Sequence, residues 1–118
     1  MKNKFILCSI DEIKNISSKS FFVKTENKIL NLMAIRSGKK IFVYINSCPH
    51  IGSPLDFTPG DFLDQKKQYI LCSTHGALFR IDDGYCISGP CQGKGLEKVE
   101  TAVNDKNIII KLNLQSSK

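Results

Sequence analysis

The sequence predicts an all-β protein, a small antiparallel β-sandwich or barrel in a single domain over residues 1–118. Short runs rich in Ile, Val, Phe and Tyr recur along the chain, and such side chains fit a pleated, half-buried surface. Clusters of Gly, Asn, Asp and Ser punctuate them at intervals of about ten residues, the rhythm of a small sandwich or barrel. A chain of 118 residues has room for one ordinary core, burying roughly two-thirds of its extended-chain surface.

The strand at residues 5–10 comes first, and Cys8 within it reads as a small core hydrophobe. Only residues 11–17 could form a helical turn. Ser9 is a suitable cap, and Asp11-Glu12 suits a helix N-terminus, where unpaired N–H groups favour negative charge. Strands at 21–25 and 29–35 follow, separated by Asn27-Lys28, then a strand at 41–45 after Ser37-Gly38-Lys39. Farther on come strands at 69–72, 78–81 and 85–87. Asp82-Asp83-Gly84 joins the last two, because Gly accepts the positive φ that a tight turn demands. Strands at 98–103 and 108–112 close the chain around a turn at 104–107. Two stretches break the pattern: 47–60 and 89–95 are loaded with Pro and Gly, as loops of restricted φ that carry function on a β scaffold often are. Residues 58–68 are polar and read as an exposed excursion.

Composition excludes several classes. The longest apolar run, Ile41-Phe42-Val43-Tyr44-Ile45, is far too short for a membrane-spanning helix. The N-terminus lacks a small-residue cleavage site, so a cytoplasmic protein with no membrane partner is expected. There are 17 Lys and Arg against 11 Asp and Glu, so 17 − 11 gives a formal charge of +6. The lysines are dispersed, with no run longer than two and no interleaved aromatics, which argues against a nucleic-acid partner. A positive face that steers an acidic protein partner is compatible with that charge.

Five cysteines, Cys8, Cys48, Cys72, Cys86 and Cys91, form an odd set in a chain without a secretion signal, which points to metal or redox chemistry rather than a disulfide framework. The two histidines, His50 and His75, each lie within three residues of a cysteine. The pattern is Cys48-x-His50, 21 residues, then Cys72-x-x-His75. Two such loops side by side bring two thiolates and two imidazoles to one site. That ligand set suits either a tetrahedral Zn²⁺ or a [2Fe–2S] cluster with two Cys on one iron and two His on the other. Spacing alone leaves both open.

The neighbouring residues are more specific. Cys48-Pro49-His50-Ile51-Gly52-Ser53-Pro54-Leu55-Asp56 and Cys72-Ser73-Thr74-His75-Gly76-Ala77-Leu78-Phe79-Arg80, followed by Gly84, Cys86 and Gly89-Pro90-Cys91, resemble the two cluster-binding boxes and the proline loop of Rieske iron–sulfur proteins. The resemblance runs from about residue 41 to 96. It implies a cluster-binding part, about 46–95, inserted in a β base formed by 3–45 and 96–114. It also implies one [2Fe–2S] cluster per chain, with Cys48 and Cys72 on the buried iron and His50 and His75 on the outer one. Gly52 and Gly76 would let the backbone approach and donate N–H bonds to sulfur. The family usually spaces its boxes slightly closer, and the surplus falls in 58–68, where added loop length costs little.

High-potential relatives add a disulfide clamp and two hydroxyl donors near the cluster. Ser53 and Thr74 stand at the clamp positions here, and Ala77 and Phe79 at the donor positions. The resemblance therefore implies a low-potential, ferredoxin-type centre, toward about −150 mV in the Rieske range. Histidine ligation implies a midpoint that falls at alkaline pH. With both histidines used, no second metal triad can be built, so no catalytic activity of its own is expected. The implied function is a one-electron carrier between a reductase and an oxygenase or other redox enzyme, as a monomer or weak oligomer. Ile51, Pro54, Leu55, Ala77 and Pro90 are the expected apolar docking rim. Alternatives are a zinc-stabilised binding module, or a small Rieske subunit of a larger reductase. Cys86 reads as a buried small hydrophobe, Cys91 as a loop residue, and Arg80 with Asp82 as a solvated strand end.

Overall fold

Alternating side chains on two central strands organise this molecule. The computed structural model describes residues 2–24, 29–47, 55, 61–72, 76–89 and 93–113. Its strands are β1 (Lys2–Ser9), β2 (Ser17–Lys24), β3 (Ile29–Ser37), β4 (Lys40–Ile45), β5 (Tyr69–Cys72), β6 (Ala77–Arg80), β7 (Cys86–Ser88), β8 (Lys98–Asn104) and β9 (Asn107–Asn113). They form a six-stranded antiparallel sheet in the order β1-β9-β8-β4-β3-β2 and a three-stranded one in the order β5-β6-β7. The expected all-β class holds, and each expected strand is present with ends moved by a few residues, the usual uncertainty of strand ends.

The expected helical turn shrinks to a 3₁₀ turn, Ile10–Glu12. Ser9 caps it: its hydroxyl accepts the Asp11 N–H at 3.3 Å, and the Glu12 carboxylate accepts the Ser9 N–H at 3.2 Å. The turn ends there because Ile13 is already extended. Arg36 holds the following loop, donating from Nη1 to the carbonyls of Ile10 (3.2 Å) and Ile13 (2.9 Å).

β3 is buried on both faces. Leu32 and Ala34 join Val43, Val23, Val99, Ile108 and Ile110 in one core inside the six-stranded sheet. Met33 and Ile35, pointing the other way, join Tyr44, Phe62, Ile70, Phe79 and Leu96 in a second core beneath the three-stranded sheet. A period of two along a single strand thus feeds two cores. β3 and β4 are the wall between them.

The segment 58–68 differs from the expected excursion. Residues 58–60 lie outside the described residues, but Phe62 is fully buried in the second core. Its N–H donates to Ser18 Oγ at 3.1 Å, and its carbonyl accepts the Leu71 N–H at 2.8 Å. Leu63 bridges Ile70. Burying one Phe offsets the ordering of a polar chain, since a buried aromatic of this size contributes roughly 2–3 kcal/mol. Among the segment's described residues, Asp61 and the tip at 65–68 are exposed.

Candidate metal centre

Cys72 is the last residue of β5 and is fully buried. It lies opposite Ala77 in the β5–β6 ladder, and Ile70 lies opposite Phe79. All four therefore face the base sheet as part of the second core. The chain leaves at Cys72 and returns at Gly76, whose N–H donates to the Cys72 carbonyl at 2.8 Å. The second Cys/His box is thereby closed at its root. The expectation that the Gly76 N–H serves cluster sulfur is corrected: it already serves that carbonyl. Gly76 itself sits at φ +72°, with no described residue within 4 Å of where a Cβ would stand. Positive φ is what Gly supplies at no steric cost.

The first box is anchored by Asn46. Its N–H donates to the Asn31 carbonyl (2.8 Å), tying it to β3, while its Oδ1 accepts the Leu55 N–H (2.8 Å). One buried carboxamide thus joins the two ends of the segment that contains Cys48 and His50. Sequence reading missed it, because its bond to Leu55 spans nine positions that no local periodicity links.

The proline loop is anchored from the other side. Gly89 adopts φ +103°, and a Cβ there would stand 2.7 Å from Ala77 Cα. Only Gly permits that approach beside the second box. Cys86 is fully buried on β7, as expected of a small hydrophobe, with its Sγ 3.3 Å from the Ser88 carbonyl. Cys8 is partly buried against the other core.

Cys48, His50 and His75 lie outside the described residues, as do Gly52, Ser53, Thr74 and Cys91. Among the described residues no three His, Cys, Asp or Glu side chains gather as a metal site. The expected docking rim is corrected in part. Leu55 and Ala77 are fully buried, because each fills the second core, and Ile51, Pro54 and Pro90 lie outside the described residues. Arg80 is exposed and pairs with Asp83, at 2.6 Å, rather than with Asp82. That hydrogen bond, helped by the Tyr85 N–H, holds the Asp83 carboxyl below its ordinary value.

Residues 3–109 match the family model of the Rieske [2Fe-2S] domain. The chain belongs to that family. Its cofactor is one [2Fe–2S] cluster, which removes the zinc alternative. Comparison with curated protein sequences finds no significant match. Among solved structures, the ferredoxin of carbazole 1,9a-dioxygenase from Nocardioides aromaticivorans IC177 superposes with TM-score 0.71 at 18% identity, over 92% of this chain and 96% of that one. The Sphingomonas yanoikuyae B1 ferredoxin gives TM-score 0.69 at 24% identity, over 94% and 100%. The terminal oxygenase of carbazole 1,9a-dioxygenase from Novosphingobium sp. KA1 gives 0.77 at 14% identity, over 98% of this chain but 31% of that one.

The described part of this Rieske domain fits its cofactor. A solvent-free thiol stands at a strand end in apolar surroundings, and the adjoining loop is closed at its root by the Gly76 N–H. Within the described residues no helix is long and apolar enough to cross a membrane.

Proposed function

We propose that this Rieske domain is a one-electron carrier, passing electrons between a reductase and an oxygenase or other redox enzyme. Cys48 and Cys72 hold one iron as thiolates, and His50 and His75 hold the other as neutral imidazoles. One observation supports the reading: the chain matches two ferredoxins, one of them from a dioxygenase system, over nearly their whole length. The part around 46–95 serves as the cluster-binding unit on the base formed by 3–45 and 96–114.

The cluster supplies a centre that accepts and returns one electron. The chain's own residues set the conditions for this. Burial of Cys72 keeps water from its sulfur, while Asn46 and Gly76 fix the roots of the two boxes. Ala77 and Phe79, both fully buried, place no hydroxyl donor beside the second box. Fewer donors stabilise the additional negative charge of the reduced state less.

Anaerobic purification tests the reading. The expected protein is reddish-brown with two irons and two sulfides per chain, and its midpoint is negative, toward about −150 mV. Serine at Cys48 or Cys72, or alanine at His50 or His75, should each abolish the cluster's visible absorption. Full cluster content in any of these variants would remove that residue from the ligand set. A colourless, sulfide-free chain after anaerobic reconstitution would overturn the reading.

A further inference from the structure

Leu55 and Ala77 are withdrawn into the core, and among the described residues the large exposed apolar side chains lie elsewhere. On the face of β2–β3–β4 that bears the second core, side chains fall in successive rows set by the register. The rows are Ser18–Ile35–Phe42, then Ser20–Met33–Tyr44. The next is Phe22–Asn31, which the Asn46 N–H on the Asn31 carbonyl extends to Asn46. Burial is lost along this series. Ile35, Met33 and Tyr44 are covered, whereas Phe22 is 69% exposed, and Ile29, diagonal to it across the ladder, is 63% exposed. Lys24, opposite Ile29, is exposed as well.

Two large apolar side chains on one sheet face, diagonal across a ladder, are close enough to form one patch. Its row ends at Asn46, two positions before Cys48. The apolar patch is thus continuous, along a single row of the sheet, with the root of the first Cys/His box. β2, β3 and β4 carry four cations, Lys19, Lys24, Arg36 and Lys40, and no carboxylate. Lys19 has Glu12 3.9 Å away, and Arg36 is spent on carbonyls, but Lys24 and Lys40 are exposed. The whole chain is at +6. Like charge opposes a second copy of this chain as the occupant and favours an anionic one.

From this row, and resting on the electron-carrier reading, we infer that Phe22 and Ile29, rimmed by Lys24, form the docking surface for an acidic redox protein. Apolar anchors with a charged rim are the make-up of a small transient interface. The charges steer the encounter, and the patch holds it beside the first box.

Cytochrome b5, an acidic haem protein, serves as probe. The dithionite-loaded chain, freed of excess reductant, passes one electron to each ferric haem, which becomes ferrous. In stopped flow the second-order rate constant should fall steeply with added salt. The Phe22→Ser/Ile29→Ser double variant and Lys24→Glu should each lower it roughly tenfold at low salt. Benzoquinone, small and neutral, takes two electrons from two reduced chains and two protons from water, and its rate should not change in either variant. Undiminished transfer to the haem protein in both variants overturns the surface, as does failure of the wild-type chain to reduce it while still reducing benzoquinone. Self-association in sedimentation that the substitutions abolish also overturns it, by assigning the patch to a second copy. Failure with both oxidants would instead sink the electron-carrier reading.

Discussion

Asn46 is the polar residue found buried among the described residues, at 4% exposure. A carboxamide enclosed this way is tolerated because its groups are bonded, and removing one partner exposes the cost of the other. Asn46→Ala leaves the Leu55 N–H without its acceptor in the core, a loss of about 1–3 kcal/mol. The expected result is a lower urea midpoint together with faster release of iron to a chelator, since the same bond closes the first box. Wild-type iron release in a destabilised variant would show that Asn46 supports the core and not the cluster loop. Residues of this kind were not legible in the sequence. Cys72 and Cys86 were, because a cysteine within a short apolar run has few places to go. Phe62 was not, because a lone Phe-Leu pair in a polar stretch gives no period, and its partner Ser18 is 44 positions away.

Strands were more legible than single residues because each contains its own evidence: a period of two, β-branched side chains, and a turn at each end. The order in which they pair was not, since β4 meets β8 across more than fifty residues and no local feature announces it. Between the two sheets, Tyr44 of β4 reaches the turn after β6, its hydroxyl donating to the Ile81 carbonyl at 2.6 Å. Gly84 is needed in that turn because a Cβ would stand 2.8 Å from the Tyr44 ring. Burial, and then the nearby Asp83 and Asp82 carboxylates, push the Tyr44 hydroxyl well above its ordinary value. A pKa raised on folding gives stability that is complete below the unfolded value of about 10 and lost as pH rises beyond it. Tyr44→Phe should therefore cost about 1 kcal/mol at pH 7, and the gap to wild type should narrow above pH ~10. Urea titrations of both proteins at neutral and alkaline pH measure it. A gap that stays constant would mean that the hydroxyl is not held neutral by the fold.

At the scale of the molecule, the two cores differ in what they depend on. The six-stranded sheet closes around its own core from residues before 46 and after 97, a set that includes none of the four proposed ligands. The three-stranded sheet has strands of four, four and three residues, too short to stand alone in water. It is held by packing on Met33, Ile35 and Tyr44 and, under the proposed ligation, by a cluster that ties Cys72 and His75 to the first box. Metal binding of this kind is also folding free energy, because an unfolded chain does not hold the site. Stripping iron should therefore loosen the molecule unevenly. In hydrogen exchange followed by mass spectrometry, β5, β6 and β7 should lose protection in the apoprotein, while β3, β4, β8 and β9 retain theirs. Equal loss in every strand would mean that the two cores unfold as one unit. Unchanged protection in β5–β7 would mean that packing alone secures the smaller sheet and that the cluster occupies a site already rigid without it.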